Sequence, residues 1–162
     1  MIERSVDYTH EDTVLQGFLA HDGKPGRKPA VLVSHAWAGR SPFEDDKARA
    51  LAGLGYVGFA LDMYGKGVLG RGPEENGALM TPFIQDRARL QSRLHAALAT
   101  VRAQPEVDPA RVAAIGFCFG GLCVLDLART GADAWRSQGD RRPVRDRRPA
   151  QRRRSPALGG PR

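Results

Sequence analysis

Gly116-Phe117-Cys118-Phe119-Gly120 sets a thiol midway between two glycines. A G-x-C-x-G run after a strand is the nucleophile-elbow pattern, with cysteine in place of the usual serine. Thiolate is the reactive form of cysteine, so such a side chain suits attack on an electrophilic carbon. The glycines let the backbone turn sharply enough to hold one side chain up at the end of a sheet. The same turn aims the backbone N–H of Phe119 along a helix start, where developing negative charge is favoured. Gly121 extends the glycine run. A small buried cysteine in a glycine-rich turn is the alternative reading of this stretch.

The elements that must position this thiol are legible around it. Val112-Ala113-Ala114-Ile115 is short, apolar and partly β-branched, and reads as a central strand. Leu122 to Ala128 follows without a breaker, with the spacing of a buried helix. Upstream, Ser5 to Ala20 alternates around His10-Glu11-Asp12 as an N-terminal hairpin, and Asp22 to Pro29 reads as an exposed loop. Ala30 to Val33 is a second buried strand. Ser41-Pro42-Phe43-Glu44 opens a helix: Ser41 caps, Pro42 suits the first position and Glu44 completes a capping box. Val57 to Leu61 is the next strand, followed by a glycine-rich loop through Gly77 and a helix opening at Thr81-Pro82. Leu90, Leu94, Leu98 and Val101 line one face of that helix, which Pro105 and Asp108-Pro109 end. Strands alternating with helices predict an α/β domain with a mostly parallel sheet.

Charge divides the chain. Of the net +7 over 162 residues, none belongs to residues 1–131, which hold 15 Lys and Arg against 15 Asp and Glu. Residues 132–162 hold ten Arg, no Lys and three Asp, with Trp135, Val144 and Leu158 as the only large apolar side chains. Such a segment buries too little surface to offset its ordering entropy. The expected organisation is therefore a folded unit over 1–131 and a disordered Arg/Pro-rich tail over 132–162. Cys118 and Cys123 are spaced for neither a metal knuckle nor a redox pair, and a disulfide between them is not expected. The N-terminus lacks a secretory apolar region and no run reaches membrane-spanning length. A reducing, cytoplasmic location without a membrane partner is expected.

Four separated stretches carry a resemblance: His35-Ala36-Trp37-Ala38-Gly39, Ala48 to Gly55, Tyr56 to Gly65, and Asp108 into Gly121. On these, residues 1–131 resemble the N-terminal half to two-thirds of the dienelactone hydrolase family, a branch of the α/β-hydrolases. The resemblance implies part of a three-layer α/β-hydrolase sandwich, lacking the later strands. It implies hydrolysis of small carboxylic esters or lactones by a Cys-His-Asp triad, with Cys118 as nucleophile. The N–H groups of Trp37 and Phe119 would form the oxyanion hole, and Gly116, Gly120 and Gly121 would shape the elbow. The implied partner is a small-molecule ester or lactone, with no metal or organic cofactor.

Two positions depart from the family pattern. Ala36 stands where some members carry a glutamate that contacts the resting thiol. In this fold the triad acid and base follow the nucleophile in the chain. Here His10, His21, His35 and His95 all precede Cys118, and beyond Asp126 the later acids are Asp133, Asp140 and Asp146 in the tail. Losing the base of such a unit costs on the order of 10⁴–10⁶ in rate, so the chain is expected to be inactive or severely impaired as encoded. The change of composition suggests a native reading frame lost near Gly131 to Ala134. The strand at 112–115 would then keep one unpaired edge, open to aggregation or self-association.

Other features have plainer readings. His35 is read as structural, Cys123 as core, and Asp108 with Arg111 as a turn and local ion pair. Asp62 and Tyr64 would border the substrate pocket, Asp62 being equally a turn former. Gly65 to Gly70 matches G-x-G-x-x-G, but Arg71-Gly72-Pro73 follows where a dinucleotide site needs a helix, so a surface loop is expected. Arg152-Arg153-Arg154 supports an alternative function, non-specific nucleic-acid binding through phosphates. The absence of lysine and of an aromatic series in the tail weighs against it.

Overall fold

The hairpin turns where the charged cluster predicts. In the computed structural model, which describes residues 1–131, β1 (Ile2–His10) pairs antiparallel with β2 (Thr13–His21), and Glu11 makes the turn at φ 53°. Three further strands, β3 (Lys28–Ser34), β4 (Val57–Ala60) and β5 (Val107–Gly116), complete a sheet of order β1-β2-β4-β3-β5. β3 lies parallel to both β4 and β5, and β2 joins β4 antiparallel.

Alternate strand residues split the core between two helical layers. On one face Phe18, Ala20, Val33 and Ala60 pack against Ala48 and Ala52 of α1 (Pro42–Gly53). On the other, Leu15, Leu19, Leu32 and Phe59 meet α3 (Arg87–Arg102) and α4 (Phe119–Arg129). The result is the expected three-layer α/β arrangement. The capping box of α1 forms as read: Glu44 accepts from the Ser41 N–H at 2.9 Å while Ser41 Oγ accepts from Phe43 N–H at 3.3 Å. The α3 face is also as read, since Leu90, Leu94, Leu98 and Val101 are all buried.

Two segment boundaries differ from expectation. The loop after β4 does not run through Gly77, because α2 (Pro73–Gln85) begins at Pro73, with Glu74 and Glu75 in its first turn. Thr81-Pro82 therefore opens nothing: Pro82 lies inside α2, and the next helix, α3, is capped by Asp86, whose carboxylate accepts from Arg89 N–H at 2.9 Å. An interior proline typically costs about 3 kcal/mol. Burial of Phe83 against Tyr64 and Phe119 offsets it. Asp108-Pro109 likewise falls within β5, in a bulge between the pairs Lys28–Val107 and Ala30–Val112.

β5 sits at the end of the sheet, so among the described residues its outer edge has no neighbour. Ile115 is 39 % exposed there, and Leu125 on α4 is 56 % exposed.

Candidate active site

β5 ends at Gly116 and α4 starts at Phe119, leaving two residues to reverse the chain. The reversal falls on Cys118, at φ 55° and ψ −114°, a region non-glycine residues rarely occupy. Its side chain is exposed. A Cβ at Gly116 would collide with the Gly120 carbonyl, and one at Gly120 with the carbonyls of Ser34 and His35. At Gly121 a Cβ would stand 3.8 Å from the Gly116 carbonyl, ordinary contact, so the steric requirement rests on Gly116 and Gly120.

This close approach brings the elbow against the loop that follows β3. The Phe117 N–H donates to Ser34 O at 3.3 Å. Gly120 and Gly121 N–H groups bond to the carbonyls of Phe117 and Cys118, both at 2.9 Å. The Phe119 N–H, first in the helix, belongs to the set a helix leaves without an internal partner. Trp37 lies in the adjoining turn, closed by Gly39 N–H on Ala36 O at 3.2 Å, and its ring packs on the core.

His35 is fully buried and both its ring nitrogens are engaged. Nε2 accepts from the Met63 N–H at 3.1 Å, so the proton resides on Nδ1, which donates to Ala36 O at 2.6 Å. Burial holds its pKa below the ordinary value. His35 therefore supports the loop rather than serving the thiol. His10 ends β1 and is bonded to Ser92 and Arg93, four strand steps from Cys118, roughly 19 Å at the usual ~4.8 Å spacing. His21 lies at the opposite end of the hairpin beside Glu106, and His95 is exposed on α3.

The lowered histidines give a pH dependence. A buried neutral imidazole takes up its proton more readily unfolded, so stability is present above the unfolded pKa near 6.5 and falls as pH drops below it. His10, held down by burial and by Arg93, acts in the same sense. The urea midpoint is expected to be level above pH 7.5 and to fall towards pH 5.5, by at most ~1.4 kcal/mol per unit for each histidine. An unchanged midpoint across that range would remove this account.

The segment after β4 is fixed from all sides. Asp62 Oδ1 accepts from the N–H groups of Tyr64 and Gly65 at 2.9 and 3.0 Å, and Oδ2 from Gln16 N–H at 3.1 Å. Asp62 is thus the turn former. Arg93, buried on α3, donates to Met63 O at 2.9 Å and to Thr13 Oγ1 at 3.2 Å. Sequence reading missed Arg93, although it shares the buried face with Leu90, Leu94 and Ala97, a spacing that could have flagged it. The G-x-G-x-x-G stretch is a loop, and its Gly70 N–H braces Ala38 O at 2.9 Å. Cys123 is core, its thiol pushed up to about 12 by burial.

A three-layer α/β sandwich on a mixed sheet, with its elbow at the carboxyl end of β5, defines this protein as an α/β-hydrolase-type fold. Two solved structures share it at TM-score 0.78 and 41% identity, each over 82% of this chain and 55% of theirs; one is a dienelactone hydrolase-like promiscuous phosphotriesterase from metagenomic libraries. The dienelactone hydrolase family model matches residues 15–137, and the chain belongs to that family. A putative carboxymethylenebutenolidase of Synechocystis is 30% identical over 74% of this chain and 50% of its own length. A second, from Methylorubrum extorquens, is 27% identical over 75% and 42%. The chain spans half or less of the length of these two curated relatives.

Proposed function

We propose that Cys118 is an acyl acceptor acting on small carboxylic esters or lactones, and that turnover beyond the acyl-enzyme is slow in this chain. The observation that carries the reading is the backbone of Cys118, a non-glycine residue held in a left-handed conformation with its thiol exposed. Backbone strain of this kind persists where the surroundings enforce it, and clusters at reactive groups. The thiolate attacks the acyl carbon, the carbonyl electrons move onto oxygen, and the N–H groups of Phe119 and Trp37 receive that charge. Each such donor typically lowers the barrier by roughly 3 kcal/mol. Collapse breaks the acyl C–O bond, expels the alkoxide (still tethered to the acyl group in a lactone) and leaves a thioester on Cys118, the thiol proton passing to solvent. Hydrolysis of that thioester needs a base to activate water. The four histidines lie elsewhere, which supports slow release.

The test is p-nitrophenyl acetate with the full chain. One equivalent of nitrophenolate per chain is expected, with the acetyl group on Cys118 by mass mapping and little steady turnover. Steady turnover lost in Cys118→Ala would overturn the slow-release part, and acetylation spread over other side chains would overturn the whole. In the organisation proposed, residues 1–131 form the hydrolase-like unit. The disorder expected of 132–162, and the nucleic-acid alternative that depends on it, fall outside the described residues. Among the described residues no helix is long and apolar enough to cross a membrane.

A further inference from the structure

We infer that Tyr64 is a positioning residue that sets the distance between the two N–H donors of the acyl-transfer site. This rests on the reading of Cys118 as an acyl acceptor. Tyr64 touches both halves of the site. Its hydroxyl donates to Trp37 O at 3.0 Å, and its ring stacks on that of Phe119, with centroids 5.9 Å apart and planes 21° from parallel.

The surroundings leave the ring little choice of direction. Asp62 holds its N–H, His35 meets it edge-on at 4.8 Å, and Phe83 closes another side at 5.9 Å. Met63, the preceding residue, is fixed by His35 at its N–H and by Arg93 at its carbonyl. The loop on the other side is equally committed. Ala36 O is taken by His35 and Gly39, and Ala38 O by Gly70. Trp37 O is held by the Tyr64 hydroxyl, and the Ala36 carbonyl before it by His35, whose ring also tilts against Phe119 at 6.2 Å. Burial, followed by the nearby thiols of Cys123 and Cys118, raises the Tyr64 pKa, so the hydroxyl stays a donor well into alkaline pH. Removing that hydroxyl releases the carbonyl side of Trp37, so that the residue is held through the Ala36 carbonyl and can shift against Phe119 while the thiol stays in place.

Two reagents separate these effects. p-Nitrophenyl acetate transfers its acetyl group to sulfur through an oxyanion, with nitrophenolate leaving. Iodoacetamide alkylates the same sulfur by displacing iodide, and no oxyanion develops. Both rates are measured at Cys118 by mass mapping on the full chain, with the urea midpoint recorded for each variant. For Tyr64→Phe the acetylation rate is expected to fall about five- to tenfold while alkylation stays within twofold. Equal loss in both rates would mean altered access or folding, and would overturn the proposal. An unchanged ratio of the two rates in Tyr64→Phe, with the wild-type ratio well above that of the chain in urea, would overturn the role of Tyr64 alone. A wild-type ratio no higher than in urea would remove the acyl-acceptor reading itself, and this inference with it.

Discussion

A Gly120→Ala chain is expected to lose most acyl transfer to Cys118 and about 1–3 kcal/mol of stability, whereas Gly121→Ala keeps both. The two glycines are adjacent, and their environments differ. A methyl at Gly120 would run into the carbonyls of Ser34 and His35, main-chain atoms at the end of a buried strand. Neither β3 nor α4 can yield cheaply, so the helix start must move away from the loop that carries Trp37. A displacement of about 1 Å between reacting groups can cost 10²-fold in rate. At Gly121 the added methyl meets only ordinary contact, and replacing a helical glycine typically gains roughly 0.5–1 kcal/mol. Acetylation rates and urea midpoints on both variants read the difference. Equal behaviour of the two would mean that the approach of α4 to β3 is not what shapes the site.

Cys118→Gly is expected to abolish acylation and, at the same time, to make the fold more stable. A residue at φ 55° and ψ −114° stores about 1–3 kcal/mol if it carries a Cβ, and glycine relieves that. The greater freedom of glycine in the unfolded chain returns roughly 0.5–1 kcal/mol of the gain. Because the thiol is exposed, little packing is lost. A net rise of about 1 kcal/mol should appear as a higher urea midpoint with unchanged slope. A glycine variant less stable than the parent would mean the elbow is relaxed, and would weaken the case that it is built around a reactive group.

The parts of this architecture that were legible in the sequence are those written in neighbouring residues. Ser41 and Glu44 announce a cap because the bonds they make span three positions, and Leu90, Leu94, Leu98 and Val101 reveal a face through their period. G-x-C-x-G is readable for the same reason. The start of α2 was hidden because Gly72 offers no side-chain cap, so Pro82 stood out as a beginning when it is an interior residue retained by the burial of Phe83. The Phe119 N–H followed from the elbow itself, whereas Trp37 came from resemblance. The bracing of Trp37 by Tyr64, and of Met63 by His35 and Arg93, joins positions about 27 to 30 apart, and no local pattern records such bonds.

The order of the sheet also has a consequence for synthesis. β3 lies between β4, which is made soon after it, and β5, whose residues 107–116 are translated some eighty positions later. A nascent chain that has left the ribosome only as far as α3 therefore presents Ala30 to Val33 with one flank unzipped. Closing so long a segment is entropically slow, which makes the docking of β5, and with it the shaping of the elbow, a late event in the life of each new molecule.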